Sequence, residues 1–149
     1  MKKIALLIFA AILTVSFQTG NMCDTKKLKE TVKKELEPYK YDLSKLTKIT
    51  YKKTSQFKET EVRLFIGEKY RLVFNTEALP KTVVISLYNR DKESSKRKLL
   101  FTTKDAPADK KIFSFEYSWA NKIFVDYEIP ADSSAQELTG CAFFMLGYK

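Results

Sequence analysis

Histidine is absent from this 149-residue sequence, and glycine, proline and cysteine are scarce, with four, four and two residues respectively. Without histidine the chain lacks the commonest general base, the usual catalytic triads and a frequent ligand of transition metals. No C-x-x-C, G-x-S-x-G or glycine-rich phosphate loop occurs, which disfavours redox enzymes, ordinary hydrolases and nucleotide-binding enzymes. We therefore predict a protein that is not an enzyme and that carries no cofactor or metal.

The first residues have the pattern of a secretory signal peptide. Lys2 and Lys3 precede the apolar run 4–15, which is too short for a transmembrane helix of about 20 residues. We predict that residues 1–22 are a signal peptide, cleaved between Ser16 and Met22, and that 23–149 form a single domain without a stable transmembrane anchor. The protein is then exported, either periplasmic or secreted, with outer-membrane association as a further alternative.

The two cysteines, Cys23 and Cys141, lie near opposite ends of the mature chain. An exported chain meets an oxidising compartment, so we predict a disulfide between them. Lipidation of Cys23 is the alternative, but lipid processing prefers a small residue before the cysteine, and Met22 stands there.

Positive charge exceeds negative charge, with a formal net charge of +9 at pH 7. The lysines are scattered over every segment rather than clustered, and we therefore predict no nucleic-acid partner. Solubility, or attraction to anionic lipid and glycan surfaces, accounts for the surplus.

One helix is predicted over 25–37, where Leu28, Val32 and Leu36 recur every four residues between a capping residue, Asp24 or Thr25, and Pro38. From residue 46 the apolar period changes to two, which indicates strands. The predicted strands are Lys48–Lys53, Glu61–Ile66, Lys69–Asn75, Thr82–Asn89, Leu99–Thr103, Lys111–Trp119, Lys122–Ile129 and Leu138–Tyr148.

This pattern predicts an all-β fold, an antiparallel β-sandwich of jelly-roll type with seven to eight strands and one short N-terminal α-helix. Gly67 and Glu68 resemble a tight hairpin turn between the second and third strands. The polar segment 90–98 is predicted to be an exposed hairpin end without a fixed binding geometry.

Carboxylates supply the one catalytic arrangement that the composition permits. Asp126 and Glu128 alternate along one strand, with Glu116 on a strand that could neighbour it, so glycosidic acid–base chemistry or calcium binding are alternatives. Alternate carboxylates more often mark the solvent face of a half-buried sheet, which is the interpretation we favour.

Aromatic residues make up 13% of the chain and include candidates for contact with a partner. The stripe that begins at Phe113 is regular enough to be core. Four aromatics on the opposite strand faces are the predicted partner-facing residues: Phe65, Tyr88, Phe124 and Phe144.

Three stretches carry a resemblance to a known group of sequences: 67–76 (GEKYRLVFNT), 124–130 (FVDYEIP) and 140–149 (GCAFFMLGYK). The chain resembles a family of small uncharacterised exported proteins of Bacteroidota-type bacteria. This resemblance implies export and a β-rich fold, and it transfers no activity, ligand or site.

The sequence thus predicts a non-catalytic exported binding protein, a structural or accessory subunit that contacts other proteins of the cell envelope. Its alternative function is that of a glycan-binding β-sandwich module.

Overall fold

The structure is a computed structural model that describes residues 23–118, 120–134 and 136–149. The predicted signal peptide and Trp119, the predicted end of one strand, lie outside the described residues. The single helix in the described ranges is α1 (Thr25–Leu36). Eight strands follow it: β1 (Lys40–Thr50), β2 (Gln56–Arg63), β3 (Lys69–Asn75), β4 (Val84–Tyr88), β5 (Leu99–Thr102), β6 (Ile112–Ser118), β7 (Lys122–Ile129) and β8 (Thr139–Tyr148).

The strands form two four-stranded antiparallel sheets. Sheet A has the order β1-β8-β3-β6, and sheet B has the order β2-β7-β4-β5. Consecutive strands mostly alternate between the sheets, and this is the strand order of a jelly roll. The predicted fold class, an antiparallel sandwich with one short N-terminal helix, is confirmed.

The main core lies between the two sheets, where each strand places every second side chain. Its largest fully buried members include Tyr70, Phe74, Tyr127 and Phe144. The rings of Phe74 and Phe144, on adjacent strands β3 and β8, lie 5.6 Å apart between centroids. Such aromatic pairs add to the stabilisation that their burial already provides.

A second core lies between α1 and the outer face of sheet A. Leu28, Val32 and Leu36, the predicted stripe, are buried there against Phe143 and Met145 of β8. Strand β8 is therefore buried on both faces, which explains its continuous apolar sequence.

The N-terminal end of α1 is held by a capping residue and by a disulfide bond. Asp24 is the N-cap, and its Oδ1 accepts hydrogen bonds from the backbone N–H groups of Lys26 and Lys27 at 3.0 and 3.2 Å. Cys23 forms a disulfide with Cys141 of β8, with 5.5 Å between their Cα atoms, and the predicted pairing is confirmed. A lipid thioether on Cys23 would require the same sulfur, so the lipidation alternative is incompatible with this bond.

Three details of the predicted strands are wrong. The second strand is Gln56–Arg63 rather than Glu61–Ile66. Gly67 and Glu68 do not close a hairpin, because β2 pairs with β7 in sheet B whereas β3 pairs with β6 and β8 in sheet A. The first strand begins at Lys40 rather than Lys48, and β1 pairs with β8 along its whole length. Its N-terminal half is mostly exposed and polar, so alternation alone does not reveal it.

Candidate functional site: a groove over sheet B and an apolar loop tip

The outer face of sheet B carries a groove with a volume of about 600 Å³. Strands β2, β7 and β4 form its floor, and their register places Glu59 beside Asp126 and Asp126 beside Ser86. One step along the strands, Phe57, Glu128 and Val84 form the next row across the same face. The groove is lined by Ser55, Gln56, Phe57, Thr82, Val84, Tyr88, Arg97, Asp126, Glu128, Ile129 and Pro130.

The centre of this face is a buried ion pair between Arg97 and Asp126. The Nη2 atom of Arg97 lies 2.7 Å from Asp126 Oδ2 and 2.9 Å from Glu59 Oε2. The side chains of Arg97 and Asp126 are 17% and 2% exposed. A carboxylate buried to this degree requires a charged partner, because desolvation of an isolated charge is costly.

Arg97 comes from the segment between β4 and β5, and this segment folds back over the sheet. Its Nε donates a hydrogen bond to the Arg90 carbonyl at 3.0 Å, and its guanidinium lies 3.6 Å from the centroid of the Tyr88 ring. The backbone N–H of Lys92 donates to Glu59 Oε2 at 2.9 Å. The segment joins the antiparallel strands β4 and β5 and is mostly exposed, so the predicted exposed hairpin end is confirmed. Its predicted lack of a fixed geometry is wrong, because these contacts give it a defined conformation.

Glu59 has a shifted pKa, and its neighbour Asp126 has an oxygen that is unpaired among the described residues. Burial raises the pKa of Glu59, and the nearby charge of Asp126 raises it further. The other oxygen of Asp126, Oδ1, is buried and has no hydrogen-bond partner within the described part of the chain. The predicted solvent face is confirmed for Glu128, which is exposed, but it is wrong for Asp126, because Arg97 covers that carboxylate.

The three carboxylates that sequence reasoning grouped do not form one site. Asp126 and Glu128 line the same groove, but Glu116 lies on β6 of sheet A, where it accepts a hydrogen bond from Arg71 Nε at 3.0 Å. Among residues 23–118, 120–134 and 136–149, no group of three or more acidic or cysteine side chains is arranged to hold a metal ion.

The four predicted partner-facing aromatics divide into two pairs. Phe65 is 76% exposed and Tyr88, half-buried, lines the groove. Phe124 and Phe144 are 3% and 0% exposed, so the expected exposure of these two is wrong. Phe144 points between the sheets, and Phe124 lies in register with Tyr88 on the covered face of sheet B.

Phe65 belongs to an apolar tip, Phe65–Ile66, in the connection from β2 to β3. Both side chains are 76% exposed. The backbone beneath them is held in place, since Phe65 N–H donates to the Tyr70 hydroxyl at 2.9 Å and Leu64 N–H donates to the Asn121 carbonyl at 2.8 Å. Gly67 follows with φ of 101°, a conformation that suits glycine and turns the chain toward sheet A.

The residues of these surfaces that the sequence did not predict include Phe57, Ile66 and Arg97. Ile66 follows Phe65 immediately before a glycine, and this apolar pair beside a turn residue was an available signal. Arg97 gave no such signal, because it sits in a run of charged and serine residues typical of a solvated loop.

No helix in the part of the chain that the structure describes is long and apolar enough to cross a membrane. No protein-family model matches the sequence, and no curated protein matches it. No family-level match therefore supports the resemblance to exported proteins of Bacteroidota-type bacteria.

Among solved structures, this chain is similar to the crystal structure of Aeromonas hydrophila PliG, a periplasmic lysozyme inhibitor of g-type lysozyme. The TM-score is 0.46 and the sequence identity is 5%, over 71% of this chain and 86% of that chain. A similarity at this level transfers no function from one protein to the other.

Proposed function

We propose that the mature chain is an exported, non-catalytic binding protein that contacts a protein partner of the cell envelope through the apolar tip, Phe65–Ile66. The observation that carries the proposal is the exposure of two adjacent large apolar side chains, 76% each. Single exposed apolar residues are common on soluble proteins, but neighbouring ones on a fixed loop are typical of interaction sites.

The rigidity of the tip supports a binding role. Tyr70, whose hydroxyl accepts the hydrogen bond from Phe65 N–H, is itself 1% exposed and anchored in the core between the sheets. Glu68 N–H donates to the Phe65 carbonyl at 3.5 Å. A loop that is already ordered loses less conformational entropy when it binds, which favours affinity.

Export is part of the proposal and rests on the sequence. Residues 1–22 have the charged start and short apolar run of a signal peptide, and the disulfide between Cys23 and Cys141 suits an oxidising compartment. We propose that 23–149 is the mature single domain, periplasmic or secreted. The intact mass of the exported protein tests this, because a mass that includes residues 1–22 would contradict it.

The partner is identified by photo-crosslinking in native cells. A photoreactive residue at position 65 or 66 is expected to capture one abundant envelope protein, whereas the same residue at Leu99, which is 53% exposed and distant in sequence, is expected to capture little. Mass spectrometry of the cross-linked band gives the partner's identity.

Affinity for that partner is then compared in two purified variants. The change Phe65→Ser with Ile66→Ser is expected to weaken binding at least tenfold, since apolar anchors dominate interface energetics. The matched control, Tyr41→Ser with Leu99→Ser, removes two side chains that are 50% and 53% exposed elsewhere and is expected to leave binding unchanged. Equal affinities of the two variants, or no captured partner, would contradict the proposal.

A further inference from the structure

We propose that the groove over sheet B binds a neutral saccharide, with Asp126 as the central hydrogen-bonding residue. This site is separate from the apolar tip and does not rest on the proposed protein partner. The groove volume of about 600 Å³ lies in the range of small-ligand sites.

One oxygen of Asp126 is unsatisfied in the part of the chain that the structure describes. Its Oδ2 is bound by Arg97 at 2.7 Å, but Oδ1 is buried without a partner among the described residues. An unpaired carboxylate oxygen in a buried position is costly and calls for a donor. A hydroxyl of a sugar bound in the groove is a donor of the kind that this oxygen lacks.

The groove lining holds charged groups of both signs. Asp126 and Glu128 disfavour an anionic ligand, and the charge of Asp126 is already compensated by the guanidinium of Arg97, so Asp126 offers little net charge to a cation. A neutral polyol needs no net charge in the groove. Each sugar hydroxyl is both donor and acceptor, so it pairs equally well with carboxylates and with the guanidinium.

The remaining wall of the groove combines polar and apolar groups. Ser55, Gln56 and Thr82 add hydroxyl and amide groups, while Phe57, which is 44% exposed, and Pro130 add apolar surface. Saccharides present hydroxyls at their edges and C–H groups on their ring faces. A wall that offers a few polar groups beside an apolar surface matches both parts.

The test is a titration of the purified chain 23–149, with its disulfide intact, against a panel of saccharides followed by protein NMR. The neutral arm contains gluco-, manno-, galacto- and N-acetylglucosamine oligosaccharides with their monosaccharides. The charged arms contain cationic glucosamine oligomers and anionic uronic acid oligomers. We expect at least one neutral member to bind and to shift signals of Phe57, Tyr88 and Asp126, and oligomers to bind more tightly than monomers where the groove holds several rings.

Two variants locate the site. Asp126→Asn keeps the shape but exchanges an acceptor for a donor, and it is expected to weaken saccharide binding at least tenfold. Glu128→Gln, on an exposed side chain of the same strand, is expected to weaken it a few fold and serves as the test if Asp126→Asn does not fold. The tip variant Phe65→Ser with Ile66→Ser is expected to bind saccharide as the wild type does.

Several results would overturn the inference: no neutral saccharide binding at millimolar concentration, tighter binding of a charged arm than of every neutral member, or equal binding by wild type and a folded groove variant. Loss of saccharide binding in the tip variant alone would place the ligand elsewhere and would also overturn it. Because the tip variant tests the protein partner and the groove variants test the saccharide, failure of one proposal is distinguishable from failure of the other.

Discussion

Arg97 Nη2 lies 2.7 Å from Asp126 Oδ2, and the same guanidinium stacks 3.6 Å from the centroid of the Tyr88 ring. One side chain from a charged loop thereby neutralises a carboxylate that is 2% exposed on β7. The pair lies on the outer face of sheet B and forms part of the groove lining.

Removal of Arg97 is expected to be more destabilising than removal of its partner's charge. In Arg97→Ala the buried Asp126 loses its counter-ion, and the free energy of unfolding should fall by about 3 kcal/mol. In Asp126→Asn the arginine retains Glu59 at 2.9 Å, and we expect a smaller loss of about 1–2 kcal/mol. Urea unfolding of each variant measures both values.

The control for this pair is Arg63→Ala, because Arg63 is 91% exposed and its ion pair with Glu61, at 3.3 Å, lies at the surface. Its effect should stay within about 0.5 kcal/mol. The double variant Arg97→Ala with Asp126→Asn should be more stable than Arg97→Ala alone, since the uncompensated charge is gone. An additive double loss would contradict the burial argument.

The disulfide between Cys23 and Cys141 joins α1 to β8 across a sequence separation of 118 residues. The chain-entropy model gives about 4–5 kcal/mol for closing a loop of this length. We expect Cys23→Ser with Cys141→Ser to lower the unfolding free energy by an amount up to that value, and to release the helix before the sandwich unfolds. Denatured, unreduced wild type should contain no free thiols, and two titratable thiols would show that the bond is absent.

The pairing of Glu116 with Arg71 gives a defined pH dependence. The hydrogen bond from Arg71 is the main cause that lowers the pKa of Glu116. Because the pKa of Glu116 is lower in the folded state, the unfolded chain binds the proton more tightly. The ion pair therefore contributes fully to stability at pH values above the ordinary pKa of a glutamate. This contribution is lost as the pH falls through the lowered pKa.

Glu116→Gln is therefore expected to be less stable than wild type at pH 7, by about 0.5–1 kcal/mol because the glutamate is 55% exposed. The difference should shrink as the pH falls toward 2. Thermal unfolding at both pH values measures it, with Glu93→Gln, an 83% exposed glutamate, as the neutral control. A constant difference between wild type and Glu116→Gln at all pH values would rule out this linkage.

Tyr127 carries a buried hydroxyl near the hydroxyl of Thr47, and neither has a hydrogen-bond partner of good geometry in the described ranges. Burial raises the pKa of Tyr127 to about 12. Tyr127→Phe removes an unsatisfied polar group, so the free energy of unfolding should stay constant or rise by up to about 1 kcal/mol. In contrast, Tyr51→Phe deletes a hydroxyl that donates to the Lys81 carbonyl at 2.7 Å, and we expect a loss of about 1 kcal/mol. Equal losses in the two variants would contradict the assignment of Tyr127 as unsatisfied.

The amino-acid sequence by itself determined the helix and most of the strands of this protein, but not the start of β1 or the limits of β2. The period of four between Asp24 and Pro38 specified the helix and its buried face, and strict alternation bounded by turn residues specified β3 and β7 with the observed limits, Lys69–Asn75 and Lys122–Ile129. These features depend on neighbours within a few residues, so local periodicity reveals them.

Only the tertiary structure decided which strands pair and which polar groups meet. The alternation of apolar and polar residues along β2 and β3 is the same whether the two strands form a hairpin or lie in opposite sheets. This alternation shows which face of a strand is buried, but not which strand is hydrogen-bonded beside it. Arg97 and Asp126 are 29 residues apart, and their contact exists because β4 and β7 lie side by side and carry the loop over the carboxylate. Arg97 lies in a run of charged and serine residues, and Asp126 occupies one of the alternate, polar positions of an otherwise apolar strand. Burial of one by the other arises only when the sheets assemble.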